Sequence, residues 1–355
     1  MTHKTISRRE FVVTGFVGTL GIASGFTLYD PAPVVSVVKI KDDKIGYAVE
    51  EAIDLLGGMK KITRNKHRIM LKPNLVTSDP RCTTNPEVIK ALAVLMKNAG
   101  KEVSIGEGSA AAQGFNVTEE GIFYTKDPKV LDPMQQHVFD QLGYTEMAKS
   151  LNVPLINLHS GELVEVEVSD GLVFDRISVH KSLTDIDLLC SVPMMKTHVL
   201  ATVTLGMKNL IGLYPGSEYC SVRSCLHNTS LENESPGIAF EILDMVRACP
   251  PGLIVIDGST AMEGDGPTDG ELVKTDMIIA GTNPLATDMV AARIMGFEKT
   301  EVPTFTKAIE SGMKPSSLDE IEIRGEKVGN VQLALKKPAI VPWTDISSWF
   351  GATEI

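Results

Sequence analysis

The sequence predicts an α/β protein, a mostly parallel, helix-covered sheet with a small antiparallel patch and long irregular insertions. Three observations carry this. Short apolar runs at 34–40, 68–72, 103–107, 187–192 and 253–257 have the length of buried strands. The first three alternate with amphipathic segments of helical period, the pattern of right-handed parallel crossovers. Four of the expected strands end in polar clusters: Lys72-Pro73-Asn74, Glu107-Gly108-Ser109, Lys196-Thr197-His198 and Asp257-Gly258.

The run 34–40 reads as a buried strand, and 46–56 as a helix closed by Gly57-Gly58. After the strand at 68–72, Asn85 caps a helix with Pro86 at its first position and Val88, Leu92, Leu95 and Ala99 on one face. Gly100 ends it, and the third strand, 103–107, opens into Gly108-Ser109. From 108 to 136 regular patterning lapses, as expected of a functional flap or an insertion. A helix is expected over 137–151. Strands around 153–158, 163–168 and 173–179 alternate in polarity and read as a half-exposed antiparallel patch. The strand at 187–192 is closed by Pro193, which puts Lys196 and His198 just past a strand end. Residues 213–236 are again irregular, 238–248 read as a helix with Ile242, Met245 and Val246 inward, and 253–257 as an apolar strand. A glycine-rich loop over 258–270 precedes a strand at 277–280 and a helix from Asn283-Pro284 to Met295. The expected organisation is an N-terminal segment (1–32), one large α/β body over 33–340 or two lobes of it, and a tail (341–355).

The formal charge of −11 over 355 residues leaves no basic stripe to neutralise phosphates, so a general nucleic-acid binder is excluded. Aromatic content of 5% equally disfavours a base-stacking surface. The first thirty residues stand apart. Ser7-Arg8-Arg9-Glu10-Phe11 precedes an uncharged, weakly apolar run holding Gly15, Gly18, Gly21 and Gly25, and resembles a twin-arginine export signal. This predicts export across a prokaryotic cytoplasmic membrane, with release or an uncleaved membrane tether as the two outcomes. That route carries folded proteins, often with a cofactor already inserted.

Five cysteines, with no C-x-x-C pair, are not a disulfide scaffold. Cys190 reads as a small core hydrophobe. Cys220 and Cys225, with His227 close by, leave three readings open: free thiols, a small disulfide loop, or ligands to a metal or iron–sulfur cluster.

In a parallel sheet the carboxyl ends of the strands share one edge, so the polar clusters should converge there. Lys72, Lys196, His198 and Lys208 supply positive charge for an anionic small molecule. Glu107, Asp257 and Glu263 supply acceptors, bases or divalent-cation ligands, and Asn74, Asn209, Gly108, Ser109 and Gly258 supply neutral contacts. A lysine held near other cations has its pKa drawn toward that of a general base. The alternative is a structural network in which acids and lysines neutralise one another. No P-loop, strand-linked G-x-G-x-x-G, G-x-S-x-G or H-E-x-x-H pattern is present. These groups fit proton or hydride movement next to a carboxylate better than nucleophilic hydrolysis. Non-catalytic capture of an anionic metabolite, metal or cofactor is the rival reading.

Lys72-Pro73-Asn74, Asn85-Pro86, Gly106-Glu107-Gly108, Met194-Met195-Lys196-Thr197-His198, Gly206-Met207-Lys208-Asn209, Asp257-Gly258, the 262–267 run and Asn283-Pro284 with Asp288 resemble the domain of unknown function 362 family. Many members append a ferredoxin-like module with repeated C-x-x-C-x-x-C spacing, so the resemblance implies an iron–sulfur redox role. This sequence lacks that spacing. Cys82, joining Cys220, Cys225 and His227 if their loops meet, is then the remaining candidate ligand set.

Overall fold

The computed structural model describes residues 31–119, 121–223, 226 and 238–339, with the backbone of Thr5–Ile6. The tail expected over 341–355 lies outside these residues, as does the expected export segment 1–32 apart from 5–6 and 31–32. The first elements are β1 (Val34–Lys39), α1 (Ile45–Leu55), β2 (Arg68–Pro73), α2 (Pro86–Asn98) and β3 (Glu102–Glu107). Then come α3 (Pro128–Gln141), α4 (Tyr144–Leu151), β4 (Leu155–Asn157), β5 (Leu163–Glu167) and β6 (Arg176–His180). The chain continues through β7 (Leu188–Val192), β8 (Met194–His198), β9 (Thr202–Thr204), α5 (Ala239–Ala248), β10 (Leu253–Glu263) and β11 (Glu271–Gly281). It closes with α6 (Pro284–Met295), α7 (Pro303–Glu310) and β12 (Glu322–Gly325).

Ten strands form one sheet in the order β12-β1-β11-β10-β7-β2-β3-β4, with β8 paired to β10 and to β9. The stretch from β10 through β7, β2 and β3 to β4 is parallel throughout, while β11 runs antiparallel to both its neighbours. The fold is therefore α/β and mostly parallel. Alternate side chains feed two cores. Ile69, Leu71, Leu253 and Val255 join α1 and α2 on one face. Met70, Ile254 and Ile256 join α5, α6 and α7 on the other.

Helix starts follow local chemistry. Asn85 accepts from Glu87 N at 3.0 Å ahead of Pro86, as expected. Asp127 does the same for Lys129 N at 2.9 Å ahead of Pro128, so a helix begins inside the stretch expected to be irregular. The single helix expected over 137–151 is two, because Gly143 takes a positive φ of 74° between α3 and α4. Of the three strands assigned to an antiparallel patch, only β5 and β6 pair that way. β4 joins the main sheet parallel to β3. Asp244 of α5 holds the turn between β5 and β6, accepting from the backbone N–H groups of Leu172, Val173 and Phe174 at 2.7, 2.8 and 2.9 Å.

Two further corrections bear on the site. β10 continues to Glu263, so Asp257 and Gly258 lie in mid-strand. Lys196 and His198 belong to β8, a strand of their own beyond Pro193, with Met194 in register with Asp257. The other side of the sheet edge is pinned by Asp288 of α6, whose two oxygens accept from Gly206 N and Met207 N at 2.8 Å each. Burial pushes its carboxyl up to about 7, against the pull of those two amides. Asp288→Asn turns one acceptor into a donor facing a backbone N–H. Urea denaturation at pH 4 should show a loss of about 1–3 kcal/mol. The loss should shrink as pH rises toward 7, because the buried wild-type carboxyl becomes costly there and the amide does not titrate.

Candidate functional site

The carboxyl ends of β2 and β3 meet at a buried ion pair. Lys72 Nζ lies 2.7 Å from Glu107 Oε1, both side chains 1–2% exposed. Lys72 also donates to Pro73 O at 3.0 Å and Asn209 Oδ1 at 3.2 Å, so all three ammonium protons are placed. Glu107 accepts in addition from Gly108 N at 2.8 Å and Leu75 N at 2.9 Å. Asn209 returns donors to Lys72 O at 3.1 Å and Ser191 Oγ at 3.0 Å, which ties the 208–213 turn to β2 and β7. Burial draws the Lys72 ammonium below its usual range, with Glu107 opposing.

Above this pair is a cavity of about 600 Å³. Lys72, Asn74, Glu107, Gly108, His198, Lys208 and Asn209 all line it, so seven of the sequence-predicted site residues do converge. Arg223 also lines it. Its guanidinium, 2% exposed, donates to Gly108 O at 2.6 Å, Gly212 O at 3.2 Å and Ser109 O at 3.3 Å. Arg223 carries no signal in the sequence, since it stands between Cys220 and Cys225 with no other lysine or arginine nearby. Its left-handed backbone, φ 56°, is visible only in three dimensions.

Lys208 differs from the other cations. Its side chain has no hydrogen bond or ion pair among the described residues, although it lines the cavity. Burial, compounded by Lys196, Lys72 and Arg223, brings its pKa down to about 7. His198 Nδ1 accepts from Leu200 N at 3.1 Å, so the neutral ring carries its proton on Nε2.

The remaining predicted residues do not line the cavity. Lys196 is fully buried and donates to Cys82 O at 2.6 Å and Pro267 O at 3.3 Å; burial lowers it to about 8. Asp257 is consumed by Asn85 N at 2.7 Å, Ser259 Oγ at 2.7 Å and Ser259 N at 3.0 Å, joining the start of α2 to β10. Glu263 accepts from Lys336 N at 2.8 Å. Ser109 N donates to Gln135 Oε1 at 2.7 Å. Gly258 is a packing position, where a Cβ would fall 2.8 Å from Met277 Cγ and 3.0 Å from Met195 Cε.

Among the proposed metal ligands, Cys82 is a buried thiol 3.3 Å from Thr77 Oγ1 and from Asp79 O, raised by burial. Cys220 is disulfide-bonded and has no thiolate to offer a metal. Cys225 and His227 lie outside the described residues. No group of three or more His, Cys, Asp or Glu able to hold a metal occurs among the described residues.

Two glycines set the close approach at the cavity floor. A Cβ on Gly212 would collide with Glu107 Oε1 and fall 2.7 Å from Lys72 Nζ. A Cβ on Gly108 would fall 2.6 Å from Arg223 Nη2 and 2.8 Å from Gly212 O. Gly212→Ala should therefore push the ion pair apart and cost about 1–3 kcal/mol, read as a lower midpoint in chemical denaturation. An unchanged midpoint would mean the floor is loosely packed.

A thylakoid-associated protein of Synechocystis sp. is 25% identical over 270 residues, covering 75% of each chain. No helix among the described residues is long and apolar enough to cross a membrane. Among solved structures, the lactate racemase apoprotein of Thermoanaerobacterium thermosaccharolyticum aligns with a TM-score of 0.39 at 14% identity, over 71% of this chain and 54% of that one. The chain thus spans about half the length of that protein. A Thermotoga maritima protein aligns with a TM-score of 0.41 at 14% identity, over 81% of this chain and 61% of that one. Neither likeness bears on activity. Residues 69–293, more than half of the 355, match a family described as a domain of unknown function, and the chain belongs to this DUF362 family.

Proposed function

We propose that the protein binds an anionic small molecule in the cavity at the carboxyl edge of its sheet, with Lys208 meeting the negative group. The observation that carries this is the contrast between the cations. Lys72 has all three ammonium protons on protein acceptors and Lys196 has two of its three, while Lys208 lines the cavity with no acceptor among the described residues. A half-buried, unpaired ammonium is costly, and an incoming anion removes that cost. Lys72, Lys196 and Arg223 add positive potential that Glu107 only partly cancels.

A pKa near 7 gives the same group a second capacity. Near neutral pH Lys208 is divided between ammonium and amine, so it can anchor an anion or accept a proton from it. This favours an enzyme that moves a proton next to a carboxylate over a passive binder. Solvent-deuterium incorporation into a bound carboxylate, absent in Lys208→Met, is the discriminating measurement.

Anion affinity should fall as pH rises through about 7, since the charged form binds and is lost there. Lys208→Met should weaken binding about 10- to 100-fold, the worth of one charge-assisted hydrogen bond. Its effect on stability has the opposite sign. The folded pKa lies below the unfolded one, so the burial cost is greatest below pH 7 and fades as pH climbs toward 10.5. Lys208→Met should therefore be more stable than wild type at pH 6, by a margin that shrinks at pH 9. Calorimetric titration and thermal unfolding of the two proteins check both signs. Unchanged affinity in the variant contradicts the reading.

We further propose that the protein acts outside the cytoplasm. The basis is the Ser7-Arg8-Arg9-Glu10-Phe11 segment and the uncharged glycine-bearing run after it. Residues 1–32 fused to a folded reporter should direct export, and replacing Arg8 and Arg9 with Lys should retain the reporter in the cytoplasm.

A further inference from the structure

We infer that the ligand is an amphiphilic monoanion, a carboxylate carrying an extended apolar body. This rests on the anion-binding reading above and goes beyond it in naming the ligand class. The cavity is chemically divided. Its charged floor comes from the ends of β2 and β3 and from the 208–213 turn, where Lys72, Glu107 and Lys208 lie. Its other lining residues come largely from the connecting segments and are mostly aliphatic, among them Val76, Ala111, Ile122, Val199, Leu200 and Ile238, with Thr77, Asp265, Thr268 and Asp269 as polar members.

Size and charge narrow the ligand. A space of about 600 Å³ is that of a pocket for a drug-sized molecule. A two- or three-carbon acid bound at Lys208 would leave most of it to water lying against aliphatic walls. Filling that space with hydrocarbon removes apolar surface from water, which is favourable in proportion to the area covered. On the charge side, the Lys208 ammonium has no protein partner among the described residues, whereas Lys72 and Arg223 hold acceptors. The one charge of Lys208 matches the single charge of a carboxylate better than the double charge of a phosphate monoester. Asp265 and Asp269, which also line the cavity, oppose a second negative charge on the ligand, and a polar substituent set against the aliphatic part of the wall would be buried without a partner.

The test is a homologous series of straight-chain carboxylates, from acetate to decanoate below its micelle concentration. Binding to the full-length protein is measured by calorimetry at pH 6.5, with the corresponding alkyl phosphates as the comparison arm. The dissociation constant should fall about fourfold per added methylene until the cavity is filled, with each carboxylate binding at least as tightly as its phosphate counterpart. Ile122→Asn and Val199→Asn, made separately so that a folding defect in one does not decide the matter, should flatten the slope and leave acetate binding unchanged. Lys208→Met should weaken every member by a similar factor. If the wild-type constant is independent of chain length, the amphiphile is wrong while anion binding at Lys208 stands. A steep slope insensitive to Lys208→Met would place the binding elsewhere and overturn the inference. Failure of every member of both series to bind would overturn it together with the anion-binding reading.

Discussion

The site depends on the ion pair between Lys72 and Glu107, which joins the ends of two neighbouring parallel strands with both groups almost wholly withdrawn from water. Such a pair holds only when the remaining protons and lone pairs are also met. Here they are met by Pro73 O, Asn209 Oδ1, Gly108 N and Leu75 N, drawn from three segments far apart in sequence. The pair thereby fixes where β2, β3 and the 208–213 turn stand relative to one another. Gly108 and Gly212 are the steric condition for it, since any side chain there would occupy the space of the charged groups.

Once Lys72 is committed to the protein, the electrostatics of the cavity are set by what is left. Lys196 sits behind the wall on two carbonyls, and Arg223 braces the backbone oxygens of Gly108, Ser109, Gly212 and Ser221. Lys208 lies within their field, and burial with like charge lowers its pKa to about 7. This is the arrangement on which the proposed anion site rests: among the described residues, the Lys208 ammonium has no hydrogen-bond or ion-pair partner. Asp257 and Glu263, which looked like candidate bases, are instead occupied as acceptors for backbone N–H groups.

Much of this was legible in the sequence, for identifiable reasons. Buried strands read correctly where the apolar run was short and ended in Pro or Gly, as at Lys72-Pro73 and Glu107-Gly108. The helix at Asn85-Pro86 read correctly because its cap is local. Asp127-Pro128 carried the same signal, yet the loss of periodicity around it hid the helix. Gly143 was the mark of a helix break that the overall pattern overrode. The convergence of Lys72, Glu107, His198, Lys208 and Asn209 followed from the shared carboxyl edge of a parallel sheet. What could not be read was the division of labour among the lysines. That division depends on which carbonyls lie within 3.3 Å of each ammonium, a consequence of long-range packing. Asp257 was misplaced for a related reason: β10 runs on past the glycine that seemed to end it.

Anion binding as proposed requires Lys208 to be a partly buried cation with no partner among the described residues, and the direct measurement is its own titration. NMR of lysine side chains labelled at the ε-carbon, with the Lys208 signal identified by its loss in Lys208→Met, gives the pKa of that one group. A midpoint near 7 in the free protein, moving upward when a carboxylate is added, is the predicted result. A midpoint near the 10.5 of a solvated lysine, unmoved by any anion, would contradict the account.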